Sequence, residues 1–166
     1  MTQKALLQSA GDGSAVPAGY VGEIISSKTS AFINTTSGVY FDALTLTLTA
    51  SGIYRLDSSI RYALNGATIT IWQGELFFSG TTGNTTTGFE LSENYWNMPS
   101  PPTSGADCSI NATQVFNYNS STGVVTFSGG ATLTLIDGVL RMKSRPGGFT
   151  GGPVAYRAFM SVTRIA

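Results

Sequence analysis

Alternation with a period of two runs through the chain, and it is the mark of half-buried strands. Asp42–Thr49 reads DALTLTLT. In an extended backbone this sets Leu44, Leu46 and Leu48 on one side and Thr45, Thr47 and Thr49 on the other. Ile53–Leu64 repeats the scheme: Tyr54, Leu56, Ile60 and Tyr62 share one side, and Arg55, Asp57 and Arg61 the opposite one. Further strands are predicted at 24–27, 67–72, 124–127, 131–136 and about 154–165. In the last of these, Tyr156, Ala158, Met160 and Val162 fall on one face. β-Branched and aromatic residues, which suit a pleated and half-buried surface, recur throughout.

Turn signals separate these runs at intervals of about ten residues. Asp137-Gly138 has the form of a two-residue hairpin turn between ATLTLI and VLRMK. Asn119–Gly123 closes a second hairpin, and Leu64-Asn65-Gly66 marks a third break. No amphipathic helical window exceeds two turns. Some eight short strands in one domain predict an all-β fold, an antiparallel β-sandwich or jelly roll, rather than an open sheet with bare edges. The organisation expected is an extended N-terminal attachment arm, residues 1–19, and a β-sandwich domain, residues 20–166. Three segments are expected as loops between strands: Gly80–Gly88 (GTTGNTTTG), Asn94–Ala106 (NYWNMPSPPTSGA) and Pro146–Pro153 (PGGFTGGP).

Composition narrows the function. Charged residues are 11% of the chain, against about 25% in an average soluble domain. Thr, Ser, Asn and Gly take their place, which suits a polar surface packed against other copies. Nine basic and nine acidic residues cancel, so there is no electrostatic call for nucleic acid as a partner. The N-terminal ten residues lack the apolar core of a signal peptide, and no stretch approaches the roughly 20 apolar residues of a membrane span. Synthesis in a bacterial cytoplasm, without membrane insertion, is expected.

Candidate chemistry is sparse. The chain has no histidine and one cysteine, Cys108. Ser-His-Asp and Cys-His nucleophiles, a zinc site and an internal disulfide are therefore out of reach. The Gly147–Gly152 cluster lacks the lysine of a phosphate-cradling loop. No catalytic, metal or cofactor residue is assigned, and no cofactor is expected. Glu90, Glu93 and Asp107 are the acids from which a glycan-cleaving carboxylate pair could be drawn, but nine acids on a surface of this size always offer some pair. Aromatic residues in loops stack on sugars or anchor interfaces. On that ground Tyr95, Trp96 and Phe149, together with Asn84 in the Gly80–Gly88 loop, are the candidate receptor-contact residues, with packing onto the end of the sandwich as the plain alternative for the aromatics.

The N-terminal segment is the most specific feature. Leu6 and Leu7 form a small apolar anchor. Ser9–Ala18 (SAGDGSAVPA) is an extended, helix-averse tether, and Ala18-Gly19-Tyr20-Val21-Gly22-Glu23 leads into Ile24-Ile25-Ser26-Ser27. The stretch Gly11–Ser27, GDGSAVPAGYVGEIISS, resembles the segment that introduces the C-terminal β domain of many bacteriophage tail-fibre and head-fibre or decoration proteins. Phe159–Ala166 (FMSVTRIA) is similar to the last strand of that family. Between the two ends only the pattern matches. The resemblance implies a trimeric jelly roll like the heads of tumour necrosis factor and C1q, decorating a capsid or touching a host receptor. No heptad stalk or β-helical shaft precedes the domain, which favours a short protein attached directly to capsid or tail. The expectation is a non-enzymatic virion structural protein on the particle exterior, a capsid decoration protein or short head fibre. Its implied partners are copies of itself in a homotrimer and phage capsid or tail proteins. The attachment residues would be Leu6, Leu7, Val16, Pro17, Tyr20, Val21 and Glu23. The alternative is a receptor-binding tail-fibre or tail-tip protein that recognises a host surface glycan or protein.

Overall fold

The computed structural model of the chain describes residues 20–29, 31, 33–35, 39–64, 68–81, 89–97, 107–150 and 154–166. For 64, 68–77, 89–97, 107–108 and 147–150 it describes the course of the backbone alone. Among the described residues there are eleven strands and no helix: β1 (Ile24–Lys28), β2 (Ile33–Thr35), β3 (Phe41–Thr47), β4 (Gly52–Leu64), β5 (Thr68–Ser79), β6 (Phe89–Asn97), β7 (Asp107–Asn119), β8 (Val124–Phe127), β9 (Thr132–Thr134), β10 (Val139–Thr150) and β11 (Val154–Arg164). No helix of the described residues is long and apolar enough to cross a membrane.

The strands form two sheets. One has the order β1-β11-β4-β7-β8-β9, with β2 also paired to β11; the other has the order β3-β10-β5-β6. Every pairing is antiparallel. The pairs β1·β11, β3·β10, β4·β7 and β5·β6 are nested, as in one long hairpin whose two arms are rolled up together. That winding is a jelly roll. The short hairpin β8–β9 is added to it beyond β7.

The predicted faces are those observed. Tyr54, Leu56, Ile60 and Tyr62 on β4, and Met160 and Val162 on β11, are fully buried between the sheets, and Leu44, Leu46 and Leu48 meet them from the second sheet. Aromatic rings pack within and between the sheets. In the larger sheet Tyr54 stacks on Phe116 at 5.5 Å between centroids and Phe116 tilts onto Phe127 at 5.8 Å, while Phe41 of the second sheet reaches across to Tyr156 at 4.4 Å. Two polar groups enter this core together. The Tyr62 hydroxyl and the Ser144 hydroxyl, both buried, hydrogen-bond to each other across the sheets, so neither carries the cost of an unpaired buried hydroxyl.

Several expectations are corrected. Asp137-Gly138 is a tight turn, with both residues at positive φ (53° and 70°) and the Val139 N–H donating to Ile136 O at 3.0 Å. It is not a hairpin turn, because β9 pairs with β8 and β10 with β3 and β5. The turn hands the chain from one sheet to the other. The strand predicted at 131–136 is only Thr132–Thr134, and that predicted at 67–72 extends to Ser79. Asn94–Asn97 is not loop: it ends β6, where Trp96 pairs with Trp72 and Tyr95 with Gln73. Two adjacent aromatics favour a strand more strongly than the following prolines oppose it. Pro146–Thr150 likewise belongs to β10, with Phe149 opposite Ile69. Pro146 is tolerated because the pairing of β10 with β3 stops at Ser144, so β10 is an edge there and no ladder bond needs the missing N–H.

Candidate functional site: the outer face of the larger sheet

The jelly roll buries one side of each sheet and leaves the other side of the larger sheet facing outward. The odd-numbered positions of β4, β7 and β11 and the even-numbered positions of β1 occupy that outer side. Register arranges them in rows. Ile24, Thr163, Arg55 and Val115 form one row, and Ser26, Ser161, Asp57 and Thr113 the next. Lys28, Phe159, Ser59 and Asn111 form the third, and Arg157, Arg61 and Ser109 the fourth. Beyond the first row, the Ile165 N–H donates to Ile53 O, which brings those two side by side.

This face is unusual in what it exposes. Ile24, Ile53, Val115, Phe159 and Ile165 are each between 38% and 66% exposed. A lone apolar residue on a surface is ordinary, but a set gathered by register on one sheet face marks a contact surface. Around them lie Ser, Thr and Asn, which cost little to desolvate once paired. The charges in the second row are already matched within the chain. Asp57 Oδ1 accepts from Arg55 Nη2 at 3.0 Å and from Thr113 Oγ1 at 2.9 Å.

The N-terminal entry to β1 lies at the same end. Tyr20–Glu23 is a β-turn in which the Glu23 N–H donates to Tyr20 O at 3.0 Å, and Gly22 stands at φ 93°. The turn is sewn to the end of β11: Gly22 N–H donates to Arg164 O at 2.7 Å, and Arg164 N–H to Glu23 O at 2.9 Å. Tyr20 and Val21 project outward, 56% and 62% exposed, and extend the apolar set past Ile24. Glu23 is instead buried, 7% exposed. Its charge acts on the buried Tyr54 hydroxyl, which Arg164 influences in the opposite sense. Its place is in the frame of the turn rather than at its outer surface.

Of the other residues singled out from the sequence, Leu6, Leu7, Val16, Pro17 and Asn84 lie outside the described residues. Tyr95, Trp96 and Phe149 are strand residues of the second sheet, not tips of loops. Glu90 and Glu93 stand on β6, opposite Phe77 and Glu75, while Asp107 opens β7 in the other sheet. Among the described residues no group of three or more His, Cys, Asp or Glu could hold a metal ion. Sequence reasoning missed Ile24, Ile53, Val115, Phe159 and Ile165. Their signal was present as apolar residues at the outward parity of otherwise polar positions, as Phe159 is between Arg157 and Ser161.

No protein-family model matches the chain, and no curated protein matches it. Among solved structures, it is similar to the structure of infectious bursal disease virus Gx strain, with a TM-score of 0.39 and 11% identity over 86% of this chain and 32% of that one. The chain thus spans about a third of the length of the chain it matches.

Proposed function

We propose that this protein is a non-enzymatic structural component on the exterior of a bacteriophage particle, a capsid decoration protein or short head fibre. It works as a homotrimer whose copies pack through the outer face of the larger sheet. The observation that carries self-association is the exposure of Ile24, Ile53, Val115, Phe159 and Ile165 on that one face. The place on a phage rests on the likeness of Gly11–Ser27 to the segment that introduces β domains in head-fibre and tail-fibre proteins. Residues 1–19 are the attachment arm, and the turn Tyr20–Glu23 is the fixed point from which it leaves the domain. An arm tethered to a folded oligomer raises the effective concentration of its contacts, at the entropic cost of ordering it.

The test is co-sedimentation with phage particles that lack this protein, comparing the full chain with one that starts at Tyr20. Binding by the full chain alone supports decoration through the arm. Binding of both chains to host cells and of neither to particles overturns that reading in favour of a receptor-binding tail protein.

A further inference from the structure

Strand β1 ends the larger sheet on one side, and it carries two adjacent isoleucines, Ile24 and Ile25. Backbone bonds at its two ends fix which of its residues face β11: Arg164 N–H donates to Glu23 O at 2.9 Å, and Thr29 N–H to Ala158 O at 3.0 Å. Bonded and non-bonded pairs alternate in an antiparallel ladder. Ile25 and Ser27 therefore bond to β11, while the N–H and C=O groups of Ile24, Ser26 and Lys28 point away from it. Among the described residues no strand meets them. Such an edge is a template for one more strand, and proteins commonly guard it with charge or proline. Here Lys28 is the one guard, at the far end, and Ile24–Ser27 has none. Ile24 lies on the outer face, 66% exposed in the single chain, and Ile25 on the inner side, partly buried against the core. A strand that completes this edge needs an apolar residue on each of its own two faces, which means two in succession.

Residues 1–19 hold one pair of adjacent leucines, Leu6-Leu7. The root of this arm lies at the same edge. Glu23 turns its C=O to Arg164 and its N–H to Tyr20 O, so Tyr20 stands on the side of β1 away from β11. We infer that the N-terminal arm of one copy adds a strand to the open edge of β1 in a neighbouring copy, with Leu6-Leu7 set against Ile24-Ile25. The inference rests on the proposed self-association and names a second contact in it. Leu7 is thirteen residues before Tyr20, a reach of up to roughly 43 Å when extended. A domain of this length is about 40 Å across, so the arm spans to a copy that touches its own. Main-chain bonds to Ile24, Ser26 and Lys28 supply affinity, and the two leucines select the register. The added strand borders the outer face where Tyr20, Val21 and Ile24 are exposed, so packing through the face and exchange of arms support each other. The arm then has two seats, this edge in the free oligomer and the particle in the proposed function.

The experiment uses the full chain with Cys108→Ser, which removes the one native thiol. Ile24→Cys is combined with Leu6→Cys in one protein and with Leu7→Cys in another. Each is oxidised and run on a non-reducing gel beside the single-cysteine chains. Light scattering gives the mass of the native chain and of Leu6→Ser/Leu7→Ser over a dilution series, and circular dichroism checks that each variant keeps its strand signal. The expected result is covalent dimers and trimers from one of the two cysteine pairs, beyond any in the single-cysteine chains. The serine variant should dissociate at a concentration about tenfold higher or more. Links confined within single chains mean that the arm folds back on its own β1, and they overturn exchange between copies. An oligomer without links overturns this seat for the arm and leaves packing through the sheet face standing. A native chain that is monomeric and unlinked overturns both.

Discussion

Lys143 on β10 faces Asp42 on β3 with its Nζ 3.6 Å from Asp42 Oδ1, and the lysine is only 1% exposed although it lies on the outward side of the second sheet. The register shift between Met142 and Lys143 creates the pairing: Met142 lies opposite Leu44 and Lys143 opposite Asp42, so Ala43 is the extra residue. Arg141 Nη1 approaches the other oxygen of Asp42 at 3.9 Å. Two cations thus share one carboxylate, whose Oδ1 is buried and has no hydrogen bond.

That imbalance predicts an asymmetry between the partners. Asp42→Asn takes the anion from two cations at once and is expected to cost about 1–3 kcal/mol, less than the roughly 3–5 kcal/mol of a fully buried broken pair because the aspartate side chain is 27% exposed. Lys143→Met removes the buried ammonium but keeps the stem volume, and Arg141 remains for Asp42, so the expected cost is under about 1 kcal/mol. Urea unfolding of the two variants decides it. Equal losses would show that the two partners matter alike and that the carboxylate is not the one shared element.

Gly80, just after β5, lies where the second sheet meets the β8–β9 hairpin. A Cβ there would sit 1.9 Å from Thr134 O and 2.8 Å from its carbonyl carbon, both backbone atoms that no rotamer change can move. Gly80→Ala is expected to destabilise by about 3 kcal/mol or to misplace the hairpin. Gly129 has open space around its Cβ direction, so Gly129→Ala is the control and should leave stability within about 0.5 kcal/mol. Unfolding midpoints of both variants, measured together, test the contact directly.

How much of this was legible in the sequence follows from local against long-range causes. The inner residues of β4 and β11 were readable because their alternation is unbroken and their apolar members are large. Strand β7 was not: Asn111, Asn117 and Asn119 dilute its β signal, and Ile110, Phe116 and Tyr118 gain their meaning from pairing with β4, fifty or more residues away. Asp137-Gly138 was legible as a turn but not as a crossing between sheets, since a turn sets only its own four residues. Pro146 in β10 depends on where β3 stops, which nothing near Pro146 encodes. The outer face was written in the sequence as misplaced apolar residues, but only register shows that they share one sheet face.

Alkaline titration tests the core. Burial raises the hydroxyl pKa of Tyr54, with Glu23 and Tyr118 adding to the shift and Arg164 opposing it, and burial followed by Asp42 raises that of Tyr156. A tyrosine raised in the folded state keeps its proton there after the unfolded chain has lost its own. Its contribution to stability is therefore intact below the ordinary value of about 10 and is lost as pH rises from there through the folded value. Tyrosinate absorbance should show at least two of the seven tyrosines failing to ionise at the ordinary value while the protein is folded, and all seven ionising there in guanidinium. Tyr54→Phe should remove one of the late groups, and a folded protein whose seven tyrosines titrate together contradicts the burial.

Self-association gives the last prediction. Phe159 sits in the third row of the outer face, between Lys28 and Ser59, 41% exposed, and its side chain takes no part in the core. In an isolated domain, Phe159→Asp would be a surface change worth no more than about 0.5 kcal/mol. In an assembly closed by this face, each copy would have to bury a carboxylate where a ring had been, losing roughly 1.5–3 kcal/mol of apolar burial and adding desolvation of the charge. The expected outcome is a folded monomer, with the same strand signal in circular dichroism but a mass near 17.4 kDa by light scattering. Ile24→Asp, two rows away on β1, should act in the same direction. Asn117→Asp, on the outer side of β7 beside Ile53, measures how far any added charge loosens the face. If the Phe159 and Ile24 variants keep the native oligomeric mass, the copies do not meet on this sheet.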